Sequence, residues 1–363
     1  MKDTHQPRRM GRAAAIAALA VTLAAVPAAA DRSEQSRDCD GRTRSESRRY
    51  ELLSGECNPT NVKLVSSDLA MAMAYAPEQQ VRAPAAWSLS VGSGALVAVL
   101  DGGFNVDHPA VCAHIAPGGL DAVDRDSDVN DHGNGLDDDG DGVVDEGLGH
   151  GTFVAGMILK VAPEAQILPI RVRDDEGRGF NASLAAGLRY AIDRRVDVIN
   201  MSLEASKAKD TQLMDLMREA TSSGIVVVLS AGNDGRGPVT DLALGVPALV
   251  VGAVDENDAI APFSSYQDMR PLEGQARMIF APGVNLYGPV GTPTDDANAY
   301  WSGTSFAAPF VAGAAALLRQ VEPELCVNEV VARLADTAYP VYDAKGRRLR
   351  YSGRLDVGQA VGR

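Results

Sequence analysis

The sequence predicts an α/β domain built on a mainly parallel, buried sheet with helices on both faces. Three observations lead there. Short apolar runs lack the alternation of a half-solvated strand. Longer stretches of helical length and spacing separate them. From about Ala76 onward the two kinds of segment take turns along the chain, the signature of strand–helix–strand units.

In order, the predicted strands are Ala95–Leu100, Gln166–Val172, Val196–Met201, Ile225–Leu229 and Ala248–Val254, each apolar on both faces. A strand of that kind needs a helical layer above and below it. Ser183–Arg194 and Thr211–Ser223 have the spacing to supply such layers. Reactive groups in these sheets gather beyond the carboxyl ends of the strands.

The chain has 363 residues, 45% of them hydrophobic and 23% charged, enough to bury a sizeable core. Its first 30 residues read as a signal peptide rather than as part of the fold. Lys2, Arg8, Arg9 and Arg12 precede an apolar run from Ala13 to about Val26, and Ala28 and Ala30 form a cleavage pattern before Asp31. That run is shorter than the roughly 20 residues needed to span a bilayer. An uncleaved anchor is the competing reading, and Arg8-Arg9 leaves the export route open. The expected location is therefore secreted or periplasmic, without stable membrane insertion. Residues 31–75 are polar and irregular, an extension or short propeptide, and residues 76–363 form the main domain with an acidic insert at 121–147. Four cysteines (Cys39, Cys57, Cys112 and Cys326) in an exported chain suggest disulfides. Of the three pairings, Cys39 with Cys57 and Cys112 with Cys326 is favoured, because the first two share a short segment. The net charge of −14 argues against a nucleic-acid partner, which needs a basic face.

Three segments carry chemistry. Val97-Ala98-Val99-Leu100-Asp101-Gly102-Gly103 ends a buried strand in a carboxylate, and its glycines let the chain turn sharply. Gly149-His150-Gly151-Thr152 sets one of five histidines between glycines, just before an apolar helix. Ser302-Gly303-Thr304-Ser305 feeds a long apolar helix. Ser305 thereby stands at a helix N-terminus, where free N–H groups favour developing negative charge. Taken singly, each has a bland reading: a turn carboxylate, a structural histidine, a capping serine.

Together, these blocks resemble the signature segments of the subtilisin-like serine peptidases, in that family's order of Asp, His and Ser. The resemblance runs from about residue 78 to 363. It includes Ile199-Asn200-Met201-Ser202-Leu203, Ser230-Ala231-Gly232-Asn233 and Ser352-Gly353-Arg354-Leu355-Asp356. It implies a subtilisin-like fold and a serine endopeptidase acting on polypeptides through an acyl-enzyme. Asp101, His150 and Ser305 would be its triad and Asn233 its oxyanion donor. Ser202, Leu203, Glu204, Ser230, Ala231 and Gly232 would line the substrate site. Three residues depart from the family pattern: Phe153, Phe306 and Glu204. The first two are apolar changes on a buried helix face. Glu204 either enters the cleft, narrowing it or favouring basic substrates, or points to solvent.

The acidic insert holds ten Asp and one Glu against Arg125 between Asp121 and Glu146. Asp126, Asp128 and Asn130, then Asp137, Asp139, Asp141 and Asp145, place oxygen ligands at alternate positions, with glycine at the bend of the second run. Calcium loops use that pattern. Leu148 stands where a full EF-hand loop has its bidentate glutamate, so the match is partial, and a solvated acidic loop is the other reading. Two further functions compete: a non-catalytic calcium module on the same fold, and a serine-carboxyl peptidase, against which His150 and Asn233 argue. No organic cofactor is implied.

Overall fold

The computed structural model describes residues 75–362 apart from 138–139, 204–209, 236, 238, 240–245, 269, 271–273 and 292–296. It also gives the backbone of two paired short strands, Ser36–Arg37 and Thr43–Arg44. The signal segment, Cys39, Cys57, Asp139 and Glu204 fall outside the described residues.

One nine-stranded sheet organises the chain. Its strands are β1 (Leu96–Asp101), β2 (Leu120–Asp121), β3 (Gln166–Arg171), β4 (Val198–Met201), β5 (Val226–Ser230), β6 (Ala248–Val254), β7 (Arg277–Pro282), β10 (Tyr339–Tyr342) and β11 (Arg348–Arg354). The spatial order is β10-β11-β7-β6-β5-β4-β1-β3-β2. Every neighbouring pair is parallel except β10 and β11, which close one edge as an antiparallel ribbon. A separate antiparallel pair, β8 (Leu286–Pro289) and β9 (Asn298–Trp301), precedes the last long helix.

Side-chain alternation along β1 explains why its sequence shows no polar face. Val97 and Val99 enter one hydrophobic cluster, Leu96, Ala98 and Leu100 the other, and all five are fully buried. The first cluster is closed by α1 (His150–Leu159), α4 (Thr304–Val321), α5 (Val327–Asp336) and α6 (Val357–Val361). The second is closed by α2 (Asn181–Asp193) and α3 (Thr211–Ser222). Asp210 caps α3 by accepting from the N–H groups of Gln212 and Leu213, which fixes where that helix begins.

α1 and α4 meet almost backbone to backbone. A side chain on Gly313 would place its Cβ 2.8 Å from Val161 Cβ and 2.9 Å from the Ile158 carbonyl. This contact seats the helix carrying His150 on the helix carrying Ser305. Gly313→Val is accordingly expected to overpack the seam and to cost about 1–3 kcal/mol. Thermal denaturation would show it as a lowered Tm, and an unchanged Tm would mean the seam yields.

Candidate active site

Asp101 is the last residue of β1 and is wholly buried. Its Oδ1 takes two hydrogen bonds, from the Gly102 N–H at 2.7 Å and from His150 Nδ1 at 2.6 Å. Its Oδ2 is buried without a hydrogen-bond partner. The carboxylate is thus desolvated and aimed at one imidazole nitrogen. His150, the first residue of α1, has a side chain 18% exposed and follows Gly149, the N-cap, at φ +77°. A Cβ on Gly151 would come within 2.6 Å of the Gly103 carbonyl, so the turns after Asp101 and around His150 touch without side chains between them. The Asn105 N–H donates to Thr152 Oγ1 at 2.8 Å and pins the same contact.

Behind the imidazole, Phe306 lies 5.0 Å and Trp301 6.3 Å away between ring centroids. Phe153 packs on both, 4.6 Å from Phe306 and 5.1 Å from Trp301. The two apolar departures noted in the sequence therefore form one aromatic wall beside His150.

Ser305 occupies the first turn of α4. Its N–H is among the first four of a helix, which have no intrahelical acceptor. Its carbonyl would normally bond the N–H of residue 309, but Pro309 has none. Ser202 Oγ donates to that carbonyl instead, at 2.6 Å, and receives Asn200 Nδ2 at 2.9 Å. Asn233 is held by its oxygen: the Thr304 N–H and Oγ1 both donate to Oδ1, at 3.0 and 3.1 Å. That leaves the amide NH2 as the end of Asn233 available to another group. Asp101, His150, Asn233 and Ser305 line one cavity of about 450 Å³, large enough for side chains of a bound peptide. Such a set can abstract a proton from a hydroxyl, stabilise the resulting imidazolium and donate to a developing oxyanion.

The other expected site residues divide. Leu203 lines the cleft. Ser202 and Ser230 are buried, and Ser230 Oγ donates to the Leu203 carbonyl at 3.2 Å. Ala231 donates its N–H to Val251, and Gly232 donates to Thr304 Oγ1. These residues brace the cleft from inside.

The acidic insert also divides. Asp126 Oδ1 accepts from the Asp128 N–H, and Asp128 Oδ1 from the N–H and Nδ2 of Asn130, whose hydrogen bonds hold the Asp128 carboxyl below its ordinary range. Asp137 gathers the N–H groups of Gly140, Asp141 and Gly142. Asp141 accepts from Val143, and Asp145 from Asn134 and Gly135. Oxygen donors of the kind calcium takes are present. Among the described residues, however, no three acidic, histidine or cysteine side chains converge as a metal site.

Three residues to which the sequence reading gave no role of their own belong to this region. Asp131 is buried, and its Oδ2 accepts from the Gly149 N–H at 2.5 Å. Burial pushes its carboxyl up to about 6, against the lowering effect of that hydrogen bond. Glu146 and Glu176 stand on the cleft wall, and a hydrogen bond to Glu176 raises the Glu146 carboxyl. In sequence all three stand among neighbouring acids; Asp131 and Glu176 are set apart by burial, whereas Glu146 is exposed.

Comparison with known proteins agrees with this geometry. The profile of the subtilase family matches residues 92–359. Thermitase of Thermoactinomyces vulgaris is 34% identical over 288 residues, covering 75% of this chain and 92% of thermitase. Subtilisin BL of Lederbergia lenta is 35% identical over 269 residues, 71% of this chain and 89% of that protein. Among solved structures, a protease of Pseudoalteromonas arctica superposes with a TM-score of 0.65 at 28% identity, covering 78% of this chain and 93% of that one. A cold-adapted subtilisin-like serine proteinase gives 0.58 at 26% identity, covering 72% and 89%.

Ser202→Ala would strip the Ser305 carbonyl of the donor that replaces the missing proline N–H. Leaving buried polar groups unpaired costs about 1–3 kcal/mol. The expected outcome is a lowered Tm together with a reduced kcat. A variant equal to wild type in both would show that the hydroxyl is dispensable.

Proposed function

Because the chain belongs to the subtilase family and is a serine endopeptidase, we propose that it is exported and cleaves peptide bonds with Asp101, His150 and Ser305 as its triad. The observation that carries this reading is the 2.6 Å contact of buried Asp101 with His150 Nδ1, at the wall of a cleft shared with Ser305 and Asn233. With Nδ1 engaged by the carboxylate, Nε2 is the nitrogen free to take the Ser305 Oγ proton. Oγ then attacks the scissile carbonyl, and the imidazolium is stabilised by Asp101. The oxyanion is received by the Asn233 amide and the Ser305 N–H at the start of α4. Collapse expels the amine, protonated by His150, and leaves an acyl-enzyme that water hydrolyses by the reverse sequence. Leu203 lies beside the path of the substrate, and Glu204 belongs to the same proposed substrate segment.

Export rests on the basic, apolar and small-residue pattern of residues 1–30, and the extension at 31–75 on its irregular composition. No helix among the described residues is long and apolar enough to cross a membrane. The disulfide reading is supported by Cys112 and Cys326, neither of which is a free thiol. For the acidic insert we retain calcium as a stabilising ligand, supported by its density of carboxylates and the positive φ of Gly140 and Gly142 at the bend. No catalytic step passes through it.

Two experiments test these statements. Ser305→Ala should abolish peptide cleavage by the secreted protein, a loss of about 10⁶ in kcat. Asn233→Ala should cost about 10²–10³ through kcat. Cleavage equal in wild type and Ser305→Ala would remove Ser305 as nucleophile. Separately, a ligand held at 100 times its Kd stabilises a fold by about 2.7 kcal/mol, so chelation should lower Tm. Tm and activity both indifferent to chelator would dismiss calcium.

A further inference from the structure

We propose that Asp131 is a positioning residue for His150: its carboxylate closes the neck of the acidic insert onto the N-terminus of α1 and so fixes the imidazole against Asp101. This deepens the reading of Asp101, His150 and Ser305 as a triad and rests on it.

Four contacts carry the inference. Asp131 is 2% exposed, unlike Asp128 and His132, whose side chains are 55% and 61% exposed. Its Oδ2 receives the Gly149 N–H at 2.5 Å, and Gly149 is the N-cap residue immediately before His150. Its own N–H donates to the Phe104 carbonyl at 3.0 Å, while the Phe104 N–H donates to Val129 at 2.9 Å. Finally, it lies so close to Gly103 that a Cβ there would be 2.5 Å from Asp131 Cα and 2.6 Å from Oδ1. One side chain and its backbone therefore touch both the turn that leaves Asp101 and the turn that presents His150. The insert hangs beyond this neck. Its next rung is Asp145, which accepts from the N–H groups of Asn134 and Gly135 at 3.1 and 2.9 Å.

Gly149 has no Cβ and adopts φ +77°, so its own conformation restrains it weakly. An acceptor on its N–H supplies the missing restraint. A displacement of about 1 Å in a catalytic group can cost about 10²-fold in rate. Loss of the Asp131 acceptor should thus appear in turnover rather than in substrate affinity.

The test uses the intact secreted enzyme as wild type, Asp131→Ala and Asp131→Asn. Asparagine keeps an oxygen able to accept from Gly149; alanine does not. Three quantities are read: the rate of Ser305 labelling by a fluorophosphonate, kcat and KM on a peptide amide, and Tm. Asp131→Ala should label and turn over about 10–100-fold more slowly, with KM within about twofold of wild type. Asp131→Asn should recover most of both rates. Asp131→Ser, polar but too short to reach Gly149, replaces alanine if alanine does not fold, and its rates must fall likewise. Wild-type labelling rates in the alanine or serine variant would overturn the proposal. So would an asparagine variant as slow as alanine at equal Tm. A wild-type enzyme that leaves Ser305 unlabelled would instead sink the triad reading, and the proposal with it.

Discussion

Asp101 and His150 reach each other because two glycine-bearing turns touch with nothing between them. The Gly103 carbonyl occupies the space where a Gly151 side chain would start, 2.6 Å from the position of its Cβ. A larger residue at 151 would press on the Gly103 carbonyl, and one at 103 on Asp131, so each turn needs its glycine for this approach. The sheet makes this contact durable. β1 is a central strand, hydrogen-bonded along its length to β3 on one side and β4 on the other, so its carboxyl end cannot shift alone. α1 is held by Gly313 of α4 pressed against its C-terminal end. Packing well away from the cleft thus sets the separation of Asp101 and His150.

A buried carboxylate is costly unless something uses its charge. Asp101 has one oxygen satisfied by Gly102 and His150 and the other without a partner, which leaves its charge weakly screened. The serine end shows the complementary economy of groups. Pro309 removes one N–H from α4, and the Ser202 hydroxyl answers the Ser305 carbonyl that this frees. Thr304 turns the Asn233 oxygen inward with two hydrogen bonds, so the amide donors face the cleft. Asp101 orients His150, Thr304 orients Asn233, and Ser202 holds the Ser305 carbonyl.

The central strands were legible because burial on both faces leaves an apolar run with sharp ends. Ala248–Val254 matches β6 residue for residue, and Ala95–Leu100 differs from β1 by one position at each end. The C-terminal edge was not legible for the converse reason. β11, one strand in from that edge, reads Arg-Leu-Arg-Tyr-Ser-Gly-Arg, and a half-solvated strand with three arginines carries no apolar run to find. At the site, Asp101, His150, Asn233 and Ser305 stood out as types in fixed frames, and one cleft gathers them. Ser202 did not disclose its direction, since a strand end offers either face, and here the hydroxyl turns inward to the helix. Asp131 was hidden among acids that look alike in one dimension.

That concealment bears on how an insert can sit between Asp101 and His150. Lengthening a loop costs little, since closure entropy grows only with the logarithm of length. What a long loop threatens is geometry, because its ends pull on whatever they join. Here the pull is intercepted. The Asp131–Gly149 and Asp145–Asn134 hydrogen bonds tie the two limbs together before they reach Gly103 and His150. Mutual repulsion among the exposed carboxylates, screened over about 10 Å at ordinary salt, then acts on the loop's own shape rather than on α1. An acidic excursion of this size is tolerable between Asp101 and His150 for the reason that a buried acid closes it off.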